Sequence, residues 1–180
     1  SVQKLNGKRD SRHRVEHIEV IHPDDLPRFK ELDVIASMQT SHAPFSISEG
    51  DVWPARVGEE RWKKSFAWRD IKNAGAHLTL GSDWTVAPFD PMINLHVALN
   101  RELWSPTDPD QGLTLEECIL GYTRDAAYAE FKENEKGQIK ENYLADLVLF
   151  SHDLFALPQE DILTAKAVMT IVDGKVVFEA

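Results

Sequence analysis

Hydrophobic and polar positions along the first 131 residues follow two alternating patterns. Continuous apolar or β-branched runs predict buried strands, and these cover residues 14–20, 34–39 and 76–83. Between them, apolar residues recur at helical spacing and predict helices, which cover residues 22–33, 59–75 and a segment starting near Met92. Strands that alternate with helices are typical of parallel βα units, so this part of the chain is predicted to be an α/β domain.

Two further segments complete this part of the pattern. Residues 40–58 are rich in Ser, Pro and Gly, and we predict a long loop there, of the kind that is often functional. After a second loop at 105–112, Thr114 and Glu117 form a capping-box sequence that predicts a helix running to about Phe131.

The C-terminal segment has a different pattern. Residues 144–150 and 167–180 are predicted strands, and Asp173–Gly174 lies between two alternating apolar runs, as in a type I′ hairpin. We therefore predict two domains: 1–135, which carries about three βα units, and 136–180, a small β module.

Composition excludes some classes of partner. The net charge of -10 and the pI of about 5.1 argue against nucleic acid and anionic membranes as partners. No apolar run approaches the roughly 20 residues that a membrane-spanning helix needs. The single cysteine, Cys118, lies in a predicted helix without basic neighbours and is expected in the core. One cysteine fits a reducing compartment, and we expect a cytoplasmic protein.

Candidate chemistry lies at the ends of the predicted strands, where parallel βα folds place their working residues. Asp83 ends the third strand and could bind a metal or accept a proton, or it could cap the next turn. His17 ends the first strand and is a possible zinc ligand or a core histidine. His42 follows the second strand and could contact substrate or be an ordinary loop residue. Trp84 could line a pocket or belong to the core.

Other polar residues favour structural roles. His13 is expected to be structural or exposed, and His22 is expected at a helix start. Asp24 and Asp25 fit the same helix start, beside its positive end. Arg69 and Lys72 are typical of a solvated helix face.

Several ordered blocks resemble the C-terminal half of YtcJ-like metal-dependent amidohydrolases, a group that includes N-substituted formamide deformylases and relatives labelled exoenzyme regulatory protein. The resemblance covers nearly the whole chain. Its blocks are RHRVEH, IASMQTSHA, LGSDWTVAPFDPM, GLTLEECILGYTRDAAYAEF, KGQIKENYLADLVLF and TIVDGKVVFEA.

The resemblance implies the C-terminal part of a (β/α)8 TIM barrel followed by part of a small β-sandwich. It implies that His17 and Asp83 are metal ligands and that His42 lies near the substrate. One or two divalent metals, zinc by expectation, would activate water, and Asp83 would transfer the proton to the leaving nitrogen. The expected substrate is a small amide-type molecule.

The chain departs from the family pattern because it has no HxH motif. We therefore expect a C-terminal fragment of a longer enzyme, inactive on its own. The alternative is a non-catalytic regulatory or interaction domain on the same scaffold. A partial barrel would expose sheet edges, so a homodimer is also possible.

Overall fold

The structure, a computed structural model, describes residues 2–7, 9–48 and 50–180. Its strands are β1 (Arg14–Glu16), β2 (Ile35–Met38), β3 (Leu78–Leu80), β4 (Leu147–Phe150), β5 (Ala167–Val172) and β6 (Lys175–Glu179). Its α-helices are α1 (Val2–Asn6), α2 (Leu26–Leu32), α3 (Val52–Val57), α4 (Glu59–Trp62), α5 (Trp68–Asn73), α6 (Pro91–Asn100), α7 (Leu115–Tyr122) and α8 (Arg124–Ala129). Short 3-10 helices cover Pro23–Asp25, Thr40–His42 and Gln159–Thr164.

The first three strands form a parallel sheet in the order β1-β2-β3. Val15 pairs with Ala36, and Ala36 pairs with Leu78 on the other side. All four residues of the central strand β2 are buried, which explains why its sequence is a continuous apolar run. The prediction of parallel βα units is therefore confirmed.

The last three strands form an antiparallel sheet in the order β4-β5-β6. Asp173 and Gly174 join β5 to β6 with φ angles of 50° and 74°, the positive values that a type I′ turn requires. The hairpin prediction is therefore confirmed.

The first predicted strand is shorter than expected. It ends at Glu16, because His17 and Ile18 take φ angles of 68° and 47° and leave the extended conformation. Val20 then forms an isolated antiparallel bridge with Ser65. That bridge interrupts the predicted helix at 59–75, which is divided into α4 and α5.

Two other predictions were wrong in part. The predicted loop at 40–58 contains the 3-10 helix Thr40–His42 and the helix α3. The predicted helix from Thr114 to Phe131 is divided into α7 and α8 at Thr123, whose φ and ψ are -119° and -89°. The capping box itself is present: Thr114 Oγ1 accepts the Glu117 N–H, and Glu117 accepts the Thr114 N–H.

The core lies between the parallel sheet and its helices. Trp68, Phe66, Met38 and Cys118 are almost fully buried, which confirms the core position of the cysteine. Arg69 is not on a solvated face, because its guanidinium pairs with both carboxylate oxygens of Glu117 and also donates to the Gly112 carbonyl. This contact ties α5 to the first turn of α7.

Among the described residues, none of the helices has both the length and the apolar character needed to cross a bilayer.

Candidate metal centre

Three of the four predicted site residues meet at the carboxyl end of the parallel sheet. Asp83 Oδ2 lies 3.7 Å from His42 Nε2 and 4.0 Å from His17 Nε2. The two imidazoles stack, with ring centroids 5.2 Å apart and planes 22° from parallel. One ligand atom from each residue falls within 4.8 Å of the other two. The carboxyl ends of three neighbouring strands therefore deliver two imidazoles and one carboxylate to one place.

His17 is held by its backbone. Its N–H donates to the Ser37 carbonyl and to Gln39 Oε1, both at 2.9 Å. Gln39 is buried and also donates from Nε2 to Glu16 at 3.3 Å. Because His17 has a positive φ, its backbone is no longer extended, and its side chain does not follow the alternating directions of the β1 side chains.

His42 lies on the 3-10 helix that follows β2. This short helix is held against α6 by Asn94, whose Oδ1 accepts the Ser41 N–H at 3.0 Å. Thr40 Oγ1 donates to the Asn94 backbone carbonyl at 2.6 Å. The His42 side chain is only 15% exposed, so the imidazole sits in a fixed and largely dry position.

Asp83 follows β3 by three residues. The Gly81 N–H still bonds to the Met38 carbonyl at 3.1 Å, which continues the sheet almost to the carboxylate. Asp83 itself has a φ of 59°, and its carbonyl accepts the Val86 N–H at 2.7 Å. A left-handed backbone outside glycine costs roughly 1–2 kcal/mol, and here it occurs at two of the three clustered residues.

The donor set fits a divalent metal such as zinc. Zinc binds histidine nitrogen and carboxylate oxygen at about 2.0–2.2 Å, so tetrahedral ligand atoms lie a little over 3 Å apart. The observed 3.7 Å and 4.0 Å are slightly wider, a difference that small side-chain rotations remove. His42 Nε2 and His17 Nδ1 are buried without hydrogen-bond partners. Buried polar atoms without partners are uncommon, and a cation bound by this cluster would satisfy His42 Nε2.

The remaining predictions have different outcomes. Trp84 follows Asp83 but is 68% exposed, so it is not a core residue, and its role as a substrate contact stays a prediction. His13 is exposed, as expected. His22 is the N-cap of the first 3-10 helix, where its Nδ1 accepts the Asp24 N–H at 3.3 Å.

Sequence analysis missed Gln39 and Asn94, the two buried carboxamides that hold the histidine-bearing segments. Both lie within predicted apolar elements, and a polar residue at a buried position is the signal that could have identified them.

Comparison with known proteins gives a consistent result. A family model described as the amidohydrolase family matches residues 1–178. Protein LONG AFTER FAR-RED 3 of Arabidopsis thaliana is 30% identical over 99% of this chain and 30% of its own length. The putative amidohydrolase YtcJ of Bacillus subtilis is 28% identical over 97% of this chain and 33% of its own. N-substituted formamide deformylase of Arthrobacter pascens is 27% identical over 72% of this chain and 24% of its own length.

Solved structures share the fold. A metal-dependent hydrolase of Pyrococcus furiosus, 27% identical, superimposes with a TM-score of 0.59 over 72% of this chain and 26% of its own. An atrazine chlorohydrolase of Arthrobacter aurescens complexed with zinc is 19% identical. It superimposes with a TM-score of 0.65 over 92% of this chain and 36% of its own. The chain spans about a third of the length of the Arabidopsis thaliana and Bacillus subtilis relatives.

Proposed function

The chain belongs to the amidohydrolase family. We propose that it carries part of the active site of a metal-dependent hydrolase acting on amide or formamide C–N bonds. The observation that carries this proposal is the convergence of His17, His42 and Asp83 within 4.8 Å at the carboxyl end of the parallel sheet. In βα barrels the reactive groups lie at this end of the strands.

His17 and Asp83 are the proposed metal ligands, and His42 is placed to add a third donor or to contact the substrate carbonyl. Zinc is the proposed metal, at one or two ions per complete site. When bound there, it would polarise a carbonyl oxygen and lower the pKa of water toward 7.

Asp83 has the position of a proton carrier. Its Oδ2 lies within 4.0 Å of both imidazoles, and its side chain is partly exposed, so water and substrate can reach it. In hydrolysis the carboxylate accepts a proton from the attacking water and returns it to the nitrogen as the C–N bond breaks. The products are a carboxylic acid and an amine, and the carboxylate is regenerated.

Trp84 is the proposed substrate contact beside this carboxylate. An exposed aromatic side chain next to the reacting groups provides an apolar surface for the N-substituent or acyl group of an amide. The name of the Arthrobacter pascens relative, N-substituted formamide deformylase, supports this class of substrate.

Catalysis by this site is proposed to require more strands than the described sheet contains. A closed barrel of this class has eight parallel strands, whereas this sheet has three. A catalytic zinc site uses about three protein ligands and must also be shielded from bulk water. We therefore expect the 180-residue chain to bind zinc without turning over substrate.

The first test measures amine release from N-substituted formamides and N-acyl amino acids by the chain with zinc. No release above background is expected. Turnover that is lost in Asp83→Asn would support the hydrolase and overturn the need for further strands.

The second test uses a chimera in which this chain replaces the matching segment of the Arthrobacter pascens deformylase. Zinc-dependent deformylation is expected with the native chain and with Asp24→Asn, a surface control, and not with Asp83→Asn. Equal activity with Asp83→Asn would contradict the proposed role of Asp83. A chimera that folds and binds no zinc would favour the regulatory or interaction-domain alternative.

A further inference from the structure

We propose that Asn94 is a positioning residue that holds His42 at its distance from Asp83. This inference rests on the proposed function of the His17–His42–Asp83 cluster and adds a residue that lies outside it.

The contacts of Asn94 are concentrated on the 3-10 helix that carries His42. Asn94 Oδ1 accepts the Ser41 N–H at 3.0 Å and lies 3.3 Å from Thr40 Oγ1. The same hydroxyl donates to the Asn94 backbone carbonyl at 2.6 Å. Thus both residues directly before His42 are bound to one residue of α6.

The burial of this side chain has a cost that core packing alone does not explain. Asn94 is 0% exposed, and its Nδ2 has no hydrogen-bond partner. An unpaired buried amide donor is destabilising, so leucine would be the ordinary residue at such a helix position. The carboxamide is useful here because only a polar acceptor can bind the Ser41 N–H.

The helix that bears Asn94 also ends the loop that follows Asp83. Asp90 caps α6, with Oδ1 accepting the Met92 N–H at 2.9 Å, and only a short loop separates Asp90 from Asp83. Asn94 follows this cap by about one helical turn. The helix α6 therefore holds the end of the loop that follows Asp83 and also binds the 3-10 helix that carries His42. These contacts help to set the distance of 3.7 Å between Asp83 Oδ2 and His42 Nε2.

The test compares Asn94→Leu with Gln111→Leu in the 180-residue chain. Gln111 is a matched control because it is also a buried carboxamide with a backbone contact, Oε1 accepting the Asp70 N–H at 3.1 Å. Zinc affinity is measured by competition with a chromophoric chelator. A loss of about tenfold or more is expected in Asn94→Leu and none in Gln111→Leu, as for residues that orient metal ligands. Equal affinity in the two variants would overturn the inference.

A second measurement needs no metal. The stacked imidazoles should give a nuclear Overhauser effect between the His17 and His42 ring protons. This signal should keep its intensity in Gln111→Leu. It should weaken in Asn94→Leu, which removes the contact with the Ser41 N–H, and in Thr40→Val, which removes the contact with the Asn94 backbone carbonyl. Unchanged intensity in Asn94→Leu would overturn the positioning role.

The two measurements separate this inference from the proposed function. If the native chain binds no zinc but Asn94→Leu weakens the imidazole contact, the metal centre fails and the positioning role stands. If zinc binds with equal affinity to the native chain and to Asn94→Leu, the metal centre stands and the inference fails. In a His42→Ala background, Asn94→Leu should cause no additional loss of zinc affinity, because the imidazole that Asn94 positions has been removed.

Discussion

His42 stacks on His17 at a ring-centroid distance of 5.2 Å, although the two residues follow different strands of the sheet. The contact exists because β1 and β2 are parallel neighbours, with Glu16 paired to Ser37, so their carboxyl ends meet at one edge. Asp83 joins them from the end of β3. The predictions below follow from this arrangement and from the contacts that support it.

Asp83→Asn should abolish tight zinc binding by the chain. The substitution keeps the side-chain shape but removes the negative charge that would help to balance a divalent cation. Loss of the ligand should weaken zinc affinity by more than about 100-fold, because even residues that only orient ligands account for 10–100-fold. Isothermal titration calorimetry measures this directly.

Asp24→Asn is the matched control for that experiment. Asp24 also lies near a histidine, with Oδ2 3.6 Å from His22 Nδ1, but this pair is exposed at a helix start. Zinc affinity should be unchanged in this variant. A similar loss in both variants would mean that the titration reports unspecific surface binding.

Glu117→Gln should lower the free energy of unfolding at neutral pH. Burial raises the pKa of Glu117, but the hydrogen bonds from Arg69 and from the Thr114 N–H outweigh it, so the net pKa is lowered from 4.5. A partly exposed charged contact of this kind contributes about 1–2 kcal/mol. Urea unfolding at pH 7 measures the difference from the native chain.

The same variant should show a defined pH dependence. Since the pKa of Glu117 is lowered in the folded state, its stabilising contribution is complete above about pH 4.5 and is lost as the pH falls through the folded value. The gap between the native chain and Glu117→Gln should therefore close in acid. Glu116→Gln, at an exposed neighbouring position, should show no gap at either pH. A gap that widens in acid would contradict the assignment.

Gly121→Ala should destabilise the fold by packing rather than by backbone conformation. A Cβ at this position would lie 2.8 Å from Leu80 Cγ, closer than two carbon atoms can approach. Relief requires α7 to move away from β3, and overpacking of this kind costs about 1–3 kcal/mol. Thermal unfolding should show a lowered Tm. An unchanged Tm would show that α7 is free to shift.

Cys118 should be unreactive in the folded chain. Burial raises the pKa of its thiol to about 12, so the thiolate that reacts with alkylating reagents is scarce. Iodoacetamide labelling at pH 8 should be slow in buffer and fast in urea, which makes the labelling rate a measure of unfolding. Rapid labelling in buffer would place the thiol at the surface.

The chain should self-associate through the outer edge of β1, which has no strand beside it in the described part of the chain. This edge lies beside an apolar groove of about 320 Å³ lined by Val15, Phe29 and Leu32, among others. Val15→Lys should shift the chain toward monomer, because a charge on an edge strand opposes pairing. Light scattering after size-exclusion chromatography measures the mass. Val148→Lys on the separate antiparallel sheet is the control, and a monomeric native chain would contradict the prediction.

The sequence by itself determined the elements whose cause is local. Continuous apolar runs predicted β2 and β3, Asp173–Gly174 predicted the hairpin, and Thr114 with Glu117 predicted the start of α7. These patterns act between near neighbours in the chain, so they can be recognised without a structure. The positions of His17, His42 and Asp83 at strand ends were predictable for the same reason.

The tertiary structure decided what depends on contacts between distant segments. The β-bridge between Val20 and Ser65 interrupts the predicted helix at 59–75. Arg69, predicted on a solvated helix face, instead pairs with Glu117 and links α5 to α7. The segments that Gln39 and Asn94 hold could not be inferred from the local sequence, since each side chain binds a residue that a different element supplies. The spacing of the three clustered side chains was likewise fixed only when parallel strand pairing brought their loops to one edge of the sheet.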